Sequence, residues 1–138
     1  MLYSESSSSI QRYFRSDLFK ILHTYLEKVQ YTIVDKNTLF VTDNFIQIFI
    51  GYLQETVLFS KWEKLDFKIS RAELKILLQE IEKCMRKRNS TLKNKNYFYS
   101  LLRDLRLQEE IPQDFLCMKK RLLELELMKK QGVIRGHS

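Results

Sequence analysis

The most informative stretch of this sequence is FIQIFIGYLQETVL, which extends from Phe45 to Leu58. Its apolar residues occupy nearly the whole circumference of a helix, whereas a helix at the surface of a globular protein has one apolar stripe. Thr42 can accept a hydrogen bond from the first turn, so we expect the helix to begin there and to continue through Trp62 to Lys64. A helix with apolar residues on so many sides must be covered from several directions.

The segments on either side of it predict two further helices. Apolar residues recur at spacings of three and four over residues 10–30, which predicts a first helix with one buried face. The next segment, 31–41, loses this spacing and predicts a loop with an extended end at 39–41. Beyond the central helix, SRAE at 70–73 spells a capping box, and the apolar stripe over 74–85 predicts a third helix.

The C-terminal third contains two more amphipathic segments. Tyr97–Leu107 and Phe115–Met128 have helical spacing and lie on either side of Pro112. The second segment has two apolar lines. It is therefore either a core helix with two buried faces, or a helix that docks one face on this domain and the other on a neighbouring subunit.

These segments predict one folded domain with an appendage. The expected organisation is a flexible N-terminal segment at 1–9, a core at 10–88, a basic linker at 89–96, a C-terminal helical extension at 97–132 and a flexible tail at 133–138.

The composition restricts the class of protein. With Gly 3 and Pro 1, the chain has few turn-forming residues for a β-sandwich or barrel, so we expect an all-α fold. A formal net charge of +7 favours polyanionic partners. The longest uncharged run, Asn44–Gln54, is too short to span a membrane, and the N-terminus has no apolar signal-peptide core. We expect a protein of a reduced intracellular compartment, neither secreted nor membrane-spanning.

The sequence contains no pattern typical of a catalytic or metal site. It has no glycine-rich phosphate loop and no GxSxG, and its two cysteines and two histidines are too scattered for a zinc site. We interpret His23 as a surface residue, and Cys84 and Cys117 as packing residues. We expect a non-enzymatic protein without a cofactor or a bound metal.

Basic residues concentrate in two places where they could contact phosphate groups. The group around the second loop is Lys61, Lys64, Lys68 and Arg71, and the group at and after the end of the third helix is Lys83, Arg86, Lys87, Arg88, Lys93 and Lys95. For the second group the alternative is a solvated helix end whose cations complement the helix dipole.

The order of these elements resembles the histone fold over Ser16–Arg88. In that family the middle helix is the long one, and short extended pieces with capping residues precede the second and third helices, as FVT at 40–42 and KIS at 68–70 could do here. Within the family, the chain is most similar to subunits of the centromere protein S and centromere protein X type, and next to TBP-associated factors.

This resemblance implies a partner chain and DNA. Histone folds form obligate dimers whose paired loops and helix N-termini contact the DNA backbone without reading bases. The resemblance therefore places Lys68, Ser70 and Arg71 near double-stranded DNA, with Lys36 as the basic residue of the first loop.

The first and third helices each have one apolar stripe, so they can cover only part of the central helix, and we expect a second histone-fold chain to cover the rest. The expected partner-interface residues are Phe45, Ile46, Phe49, Ile50, Leu53, Val57, Trp62, Leu123 and Leu127. The alternative is that a C-terminal helix folds back and covers the central helix within one chain.

The sequence thus predicts a nuclear histone-fold subunit with a C-terminal helical extension. It would heterodimerise with another histone-fold protein, bind DNA or chromatin within a kinetochore or genome-maintenance complex, and recruit further subunits through its C-terminal helices. Two alternatives remain open. One is a histone-fold subunit of a transcription initiation or coactivator complex, and the other is a self-contained helical adaptor that binds no nucleic acid.

Overall fold

The computed structural model describes residues 1–132, and the tail predicted at 133–138 lies outside the described residues. The described part confirms the all-α class, with six helices: α1 (Ser8–Lys28), α2 (Asp43–Gln54), α3 (Val57–Lys64), α4 (Arg71–Arg86), α5 (Leu92–Leu105) and α6 (Phe115–Lys130). Within residues 1–132, extended pairing is limited to two isolated β-bridges. No helix in this part is long and apolar enough to cross a membrane.

The two helices with a single predicted stripe, α1 and α4, form where the sequence indicates. Ser7 caps α1 by accepting a hydrogen bond from the Ile10 amide at 3.2 Å. At the start of α4, Ser70 and Glu73 form the predicted capping box through two hydrogen bonds of 3.1 Å. The apolar stripes of both helices are buried in the main core.

The central helix is interrupted, so the prediction of one helix from Thr42 to Lys64 is wrong. Thr56 has an extended backbone, and its hydroxyl accepts a hydrogen bond from Phe59 N at 3.3 Å and donates one to Leu53 O at 2.7 Å. Threonine loses side-chain freedom inside a helix but caps a helix well, which explains the break. With 21 residues, α1 is the longest described helix, in place of the expected middle one.

The chain itself covers one side of α2, including four residues expected at a partner interface, while Ile48 on another side of the helix is 64% exposed. Phe49 is 0% exposed and stacks on Phe45 at a centroid distance of 5.2 Å. Tyr25 of α1 contacts both rings edge-on, and Phe40 from the preceding loop contacts Phe45. The loop supplies cover that the periodicity of the helices could not reveal.

The two C-terminal helices form a hairpin with its own small core; α5 begins earlier than predicted, and α6 begins at Phe115 as predicted. Thr91 caps α5, so most of the predicted basic linker at 89–96 is the first turn of this helix. The small core contains Phe98, Leu101, Leu102, Leu105, Met118, Leu122 and Leu125.

Helix α6 packs on two sides within this chain, as expected for a core helix, but Leu127 of its second apolar line is 54% exposed. One face packs against α5, and the other packs against α4. Leu116 belongs to the main core, and the Phe115 ring touches both cores. The hairpin is therefore joined to the main core through α6.

Residues 1–9 are not a free lead in the structure. Tyr3 N donates to the Lys68 carbonyl at 2.7 Å, and Lys68 N donates to the Met1 carbonyl at 2.8 Å. The Tyr3 ring also contacts Phe14 and Phe67. This segment is tied to the connection between α3 and α4.

Acid is expected to weaken the connection between α5 and α6. Hydrogen bonds from Arg121, one of them 2.9 Å long, lower the pKa of the Glu109 carboxyl. A lowered folded-state pKa contributes stability above the unfolded-state value of about 4.3, and this stability is lost as the pH falls through the folded-state pKa. Urea unfolding of wild type and Glu109→Gln at about pH 6 and pH 3 checks this. The variant should lose less stability on acidification, and an equal loss in the two proteins would contradict the assignment.

Candidate nucleic-acid interface

The basic group around the second loop is neutralised in part by its neighbours. Lys61 Nζ lies 2.7 Å from Asp17 Oδ2, and the same oxygen accepts a 2.9 Å hydrogen bond from the indole of Trp62. Asp17 is itself buried. Lys61 therefore closes a structural contact between α1 and α3.

The other residues of this group have mixed roles. The Ser70 hydroxyl is occupied by the helix cap, and Lys68 Nζ lies 3.8 Å from Asp66. Lys64 and Arg71 are exposed, at the end of α3 and the start of α4. The group thus presents a discontinuous positive surface with carboxylates among its cations.

Arg86 is a structural residue, which corrects its place among the candidate DNA contacts. Its side chain is 11% exposed, and its Nε donates to Glu82 at 2.9 Å. Its guanidinium also donates to Asp114 at 2.6 Å and to the carbonyls of Asp35 and Thr38. Burial works against the charged form, yet the hydrogen bonds to Asp114 and Glu82 raise the pKa of Arg86. A guanidinium held in this way is not free to bind phosphate.

Glu82 completes this buried network from the opposite side. It is 0% exposed, and its two carboxylate oxygens accept the Phe40 and Val41 amides at 3.0 and 3.1 Å. The network therefore attaches the loop between α1 and α2 to α4 and, through Asp114, to the start of α6.

The remaining candidate DNA contacts are exposed but lie on different elements. Lys36 lies in the loop after α1, Lys87 and Arg88 follow α4, and Lys93 and Lys95 lie in the first turn of α5. The Arg88 guanidinium lies 5.3 Å from the centre of the Phe115 ring.

The clearest surface feature is a groove along the solvent side of α1, made of three adjoining depressions. We call it the α1 groove, and its lining residues are Ser9, Arg12, Tyr13, Arg15, Ser16, Phe19, Lys20, His23, Thr24 and Arg88. Four lining residues are lysine or arginine, and none of the described lining residues is acidic. The neighbouring depression between α2 and α4, by contrast, contains Asp43.

Helix α4 packs beside α1, and Arg88, which follows α4, lines one end of the α1 groove. Arg15 bridges the two helices, because its guanidinium lies 3.3 Å from Glu80 and 3.4 Å from the Cys84 sulfur. Lys83 and Lys87 are exposed on the side of α4 that carries Glu80 and Cys84, as their spacing of three or four residues requires. Further cations therefore lie near the α1 groove.

Most of these cations have no carboxylate partner. Within residues 1–132, the ion pairs include none from Arg12, Lys20 or Arg88. At the far end of the groove, His23 Nδ1 lies 3.1 Å from Glu27. The α1 groove is thus a positive surface whose charge is available to a ligand.

Arg12 and Lys20 of α1 were not among the predicted nucleic-acid contacts, because they do not belong to a run of basic residues. Arg12 and Lys20 are separated along the chain by apolar residues that point into the core. The signal was nevertheless present, since positions 9, 12, 13, 16, 20 and 23 recur at helical spacing opposite the buried stripe.

The nine residues expected at a partner interface differ in how far the structure buries them. Five of them are buried within this chain: Phe45, Ile46, Phe49, Leu53 and Trp62. Ile50 and Leu123 are half-buried, and Val57 and Leu127 are 85% and 54% exposed. The nine residues do not form one exposed face.

Residues 1–132 contain no group of three or more His, Cys, Asp and Glu residues arranged to hold a metal ion. In comparisons with known proteins, no family model, curated protein or solved structure matches this chain.

Proposed function

We propose that this protein is a non-enzymatic helical protein that binds the phosphate backbone of nucleic acid along the α1 groove. The observation that carries the proposal is the lining of the groove, in which arginine, lysine, tyrosine and serine alternate without a carboxylate. Arginine and lysine neutralise phosphates, and serine and tyrosine hydroxyls hydrogen-bond to phosphate oxygens.

The length of α1 favours a polymer over a small anion. Arg12 and Lys20 are eight residues apart in one helix, which corresponds to about 12 Å along the axis. Arg88 adds a further cation beside Lys20 and His23. A chain with regularly spaced charges can contact all three cations at once, whereas one phosphate ion cannot.

Neutralising the groove is expected to weaken binding strongly. The variant Arg12→Gln/Lys20→Gln/Arg88→Gln should bind a fluorescein-labelled 20-nucleotide probe about 10- to 100-fold more weakly at about 0.1 M salt. Binding with fewer phosphate contacts releases fewer counterions from the nucleic acid, which lowers the affinity. The slope of log K against log salt should fall by about two to three. Fluorescence anisotropy at several salt concentrations measures both quantities.

A matched control removes the same charge elsewhere. The variant Lys36→Gln/Lys64→Gln/Lys68→Gln also lowers the formal net charge from +7 to +4, since three cations are removed, and it tests the loop residues expected to contact DNA. It should bind within about threefold of wild type. Equal losses in the two variants would mean that the groove has no special role, and the absence of salt-dependent binding by wild type would remove the proposal.

A second candidate function is pairing with another histone-fold chain, as expected from the sequence. It is favoured by the exposure of Ile48 and Val57, apolar residues of α2 and α3 that are 64% and 85% exposed. In this proposal the chain is a subunit of a nuclear complex, with the partner seated on these side chains. Sedimentation and unfolding of the purified chain at several concentrations test it. If the chain is a monomer and keeps its stability on dilution, it does not require such a partner.

A further inference from the structure

We infer that the nucleic acid in the α1 groove is single-stranded and that one of its bases stacks on Tyr13. This inference rests on the proposed function, and it adds the class of nucleic acid and the residue that selects it. It starts from the aromatic ring of Tyr13, which no described feature of the fold uses.

Tyr13 is the most exposed aromatic residue of the described chain, with 71% of its surface open to solvent. The next residue, Phe14, is 1% exposed and packs against Trp62 and Phe67. The core of α1 is therefore complete without Tyr13. Its ring lies in the groove beside Arg12, in the depression that Ser9 and Ser16 also line.

The exposed ring of Tyr13 beside Arg12 favours a single strand over a duplex. In a duplex the bases are paired and stacked on one another, so their faces are closed to a protein side chain. The bases of a single strand are unpaired, and one of them can stack on a ring that lies beside the cations holding the backbone.

The chemistry of the lining matches the same ligand. Proteins that bind single strands without reading sequence combine cations that follow the backbone with aromatic rings on which bases stack. Arg12 and Lys20 would supply the cations in α1, and Tyr13 would supply the ring between them along the helix. Stacking on tyrosine accepts every base, so the groove is expected to tolerate many sequences.

The experiment compares four ligands and four proteins by competition and fluorescence anisotropy. The ligands are dT20, U20, a 20-base-pair DNA duplex, and a heparin oligosaccharide, which is a polyanion without bases. The proteins are wild type, Tyr13→Ala, Tyr13→Phe, and the control Tyr99→Ala, which removes an exposed aromatic from α5. Because Tyr13 and Tyr99 are both more than half exposed, all four proteins should have similar melting temperatures, although Tyr99→Ala also removes an edge contact with Phe98.

Tyr13→Ala should bind dT20 and U20 about 5- to 100-fold more weakly than wild type, with heparin affinity unchanged within about twofold. Tyr13→Phe and Tyr99→Ala should bind like wild type, and wild type should prefer the single strands to the duplex. A preference for U20 over dT20 would assign the groove to RNA, and the reverse would assign it to single-stranded DNA.

The inference is overturned if Tyr13→Ala binds the single strands like wild type, or if the duplex binds at least as tightly as they do. In those cases salt-dependent binding that needs Arg12, Lys20 and Arg88 would still support the proposed function. If no nucleic acid binds in a salt-dependent manner, the proposed function itself fails.

Discussion

Replacing Glu82 by alanine is expected to destabilise the protein by about 4 kcal/mol, because it breaks a buried ion pair and leaves buried donors without an acceptor. The Glu82 carboxylate accepts three hydrogen bonds, from the Phe40 and Val41 amides and from Arg86 Nε. In the variant the two amides lose their partner, and Arg86 keeps only part of its compensation. Domains of this size are commonly stable by about 5–15 kcal/mol, so the variant would lose a large share.

Urea unfolding followed by circular dichroism measures this effect. The matched control is Glu80→Ala, two residues earlier in α4, where the side chain is 55% exposed and pairs with Arg15. An exposed pair of this kind contributes about 0–1 kcal/mol. If Glu82→Ala cost no more than Glu80→Ala, the buried network would not hold the loop to α4.

Replacing Phe49 by alanine is expected to cost about 3–5 kcal/mol, because a cavity would form among aromatic rings that have little room to move. Phe49 contacts Phe45, Tyr25 and Tyr52, and it is fully buried by its own chain. Ile48→Ala, one residue earlier, removes a side chain that is 64% exposed and should change stability by less than about 0.5 kcal/mol.

This pair of variants also tests whether α2 needs a partner chain. If the chain covers α2 as the structure has it, the loss caused by Phe49→Ala is the same at about 1 and 50 µM protein, because no association is coupled to folding. Stability that rises with protein concentration, together with a larger loss for Ile48→Ala than for Phe49→Ala, would favour a covering partner.

Local signals in the sequence predicted most helices but not the way α2 is covered. The capping box at Ser70 and the stripes of α1 and α4 are properties of neighbouring residues, and they were confirmed. The break at Thr56 was missed because apolar residues continue through it, although threonine itself favours a cap. The cover supplied by Phe40 depends on a long-range contact with Glu82, which periodicity cannot reveal.

The candidate site, like the fold, was predicted from local sequence signals only in part. Charge runs pointed to the second loop and the end of α4, where the structure uses Lys61 and Arg86 for internal contacts. The cations of the α1 groove are scattered in sequence and adjacent only in space. Helical spacing of polar positions in α1 would have indicated them, since the core face of that helix was predicted correctly.

The position of α6 between two cores has a consequence for how the protein forms during translation. Asp114 closes the Arg86 network, and Leu116 fills a place in the main core, so neither is complete until the ribosome has released this part of the chain. A nascent chain that ends before α6 would expose the apolar residues that Leu116 covers. We therefore expect fragments truncated at about residue 90 to aggregate or require a chaperone, while the released chain folds in one cooperative step.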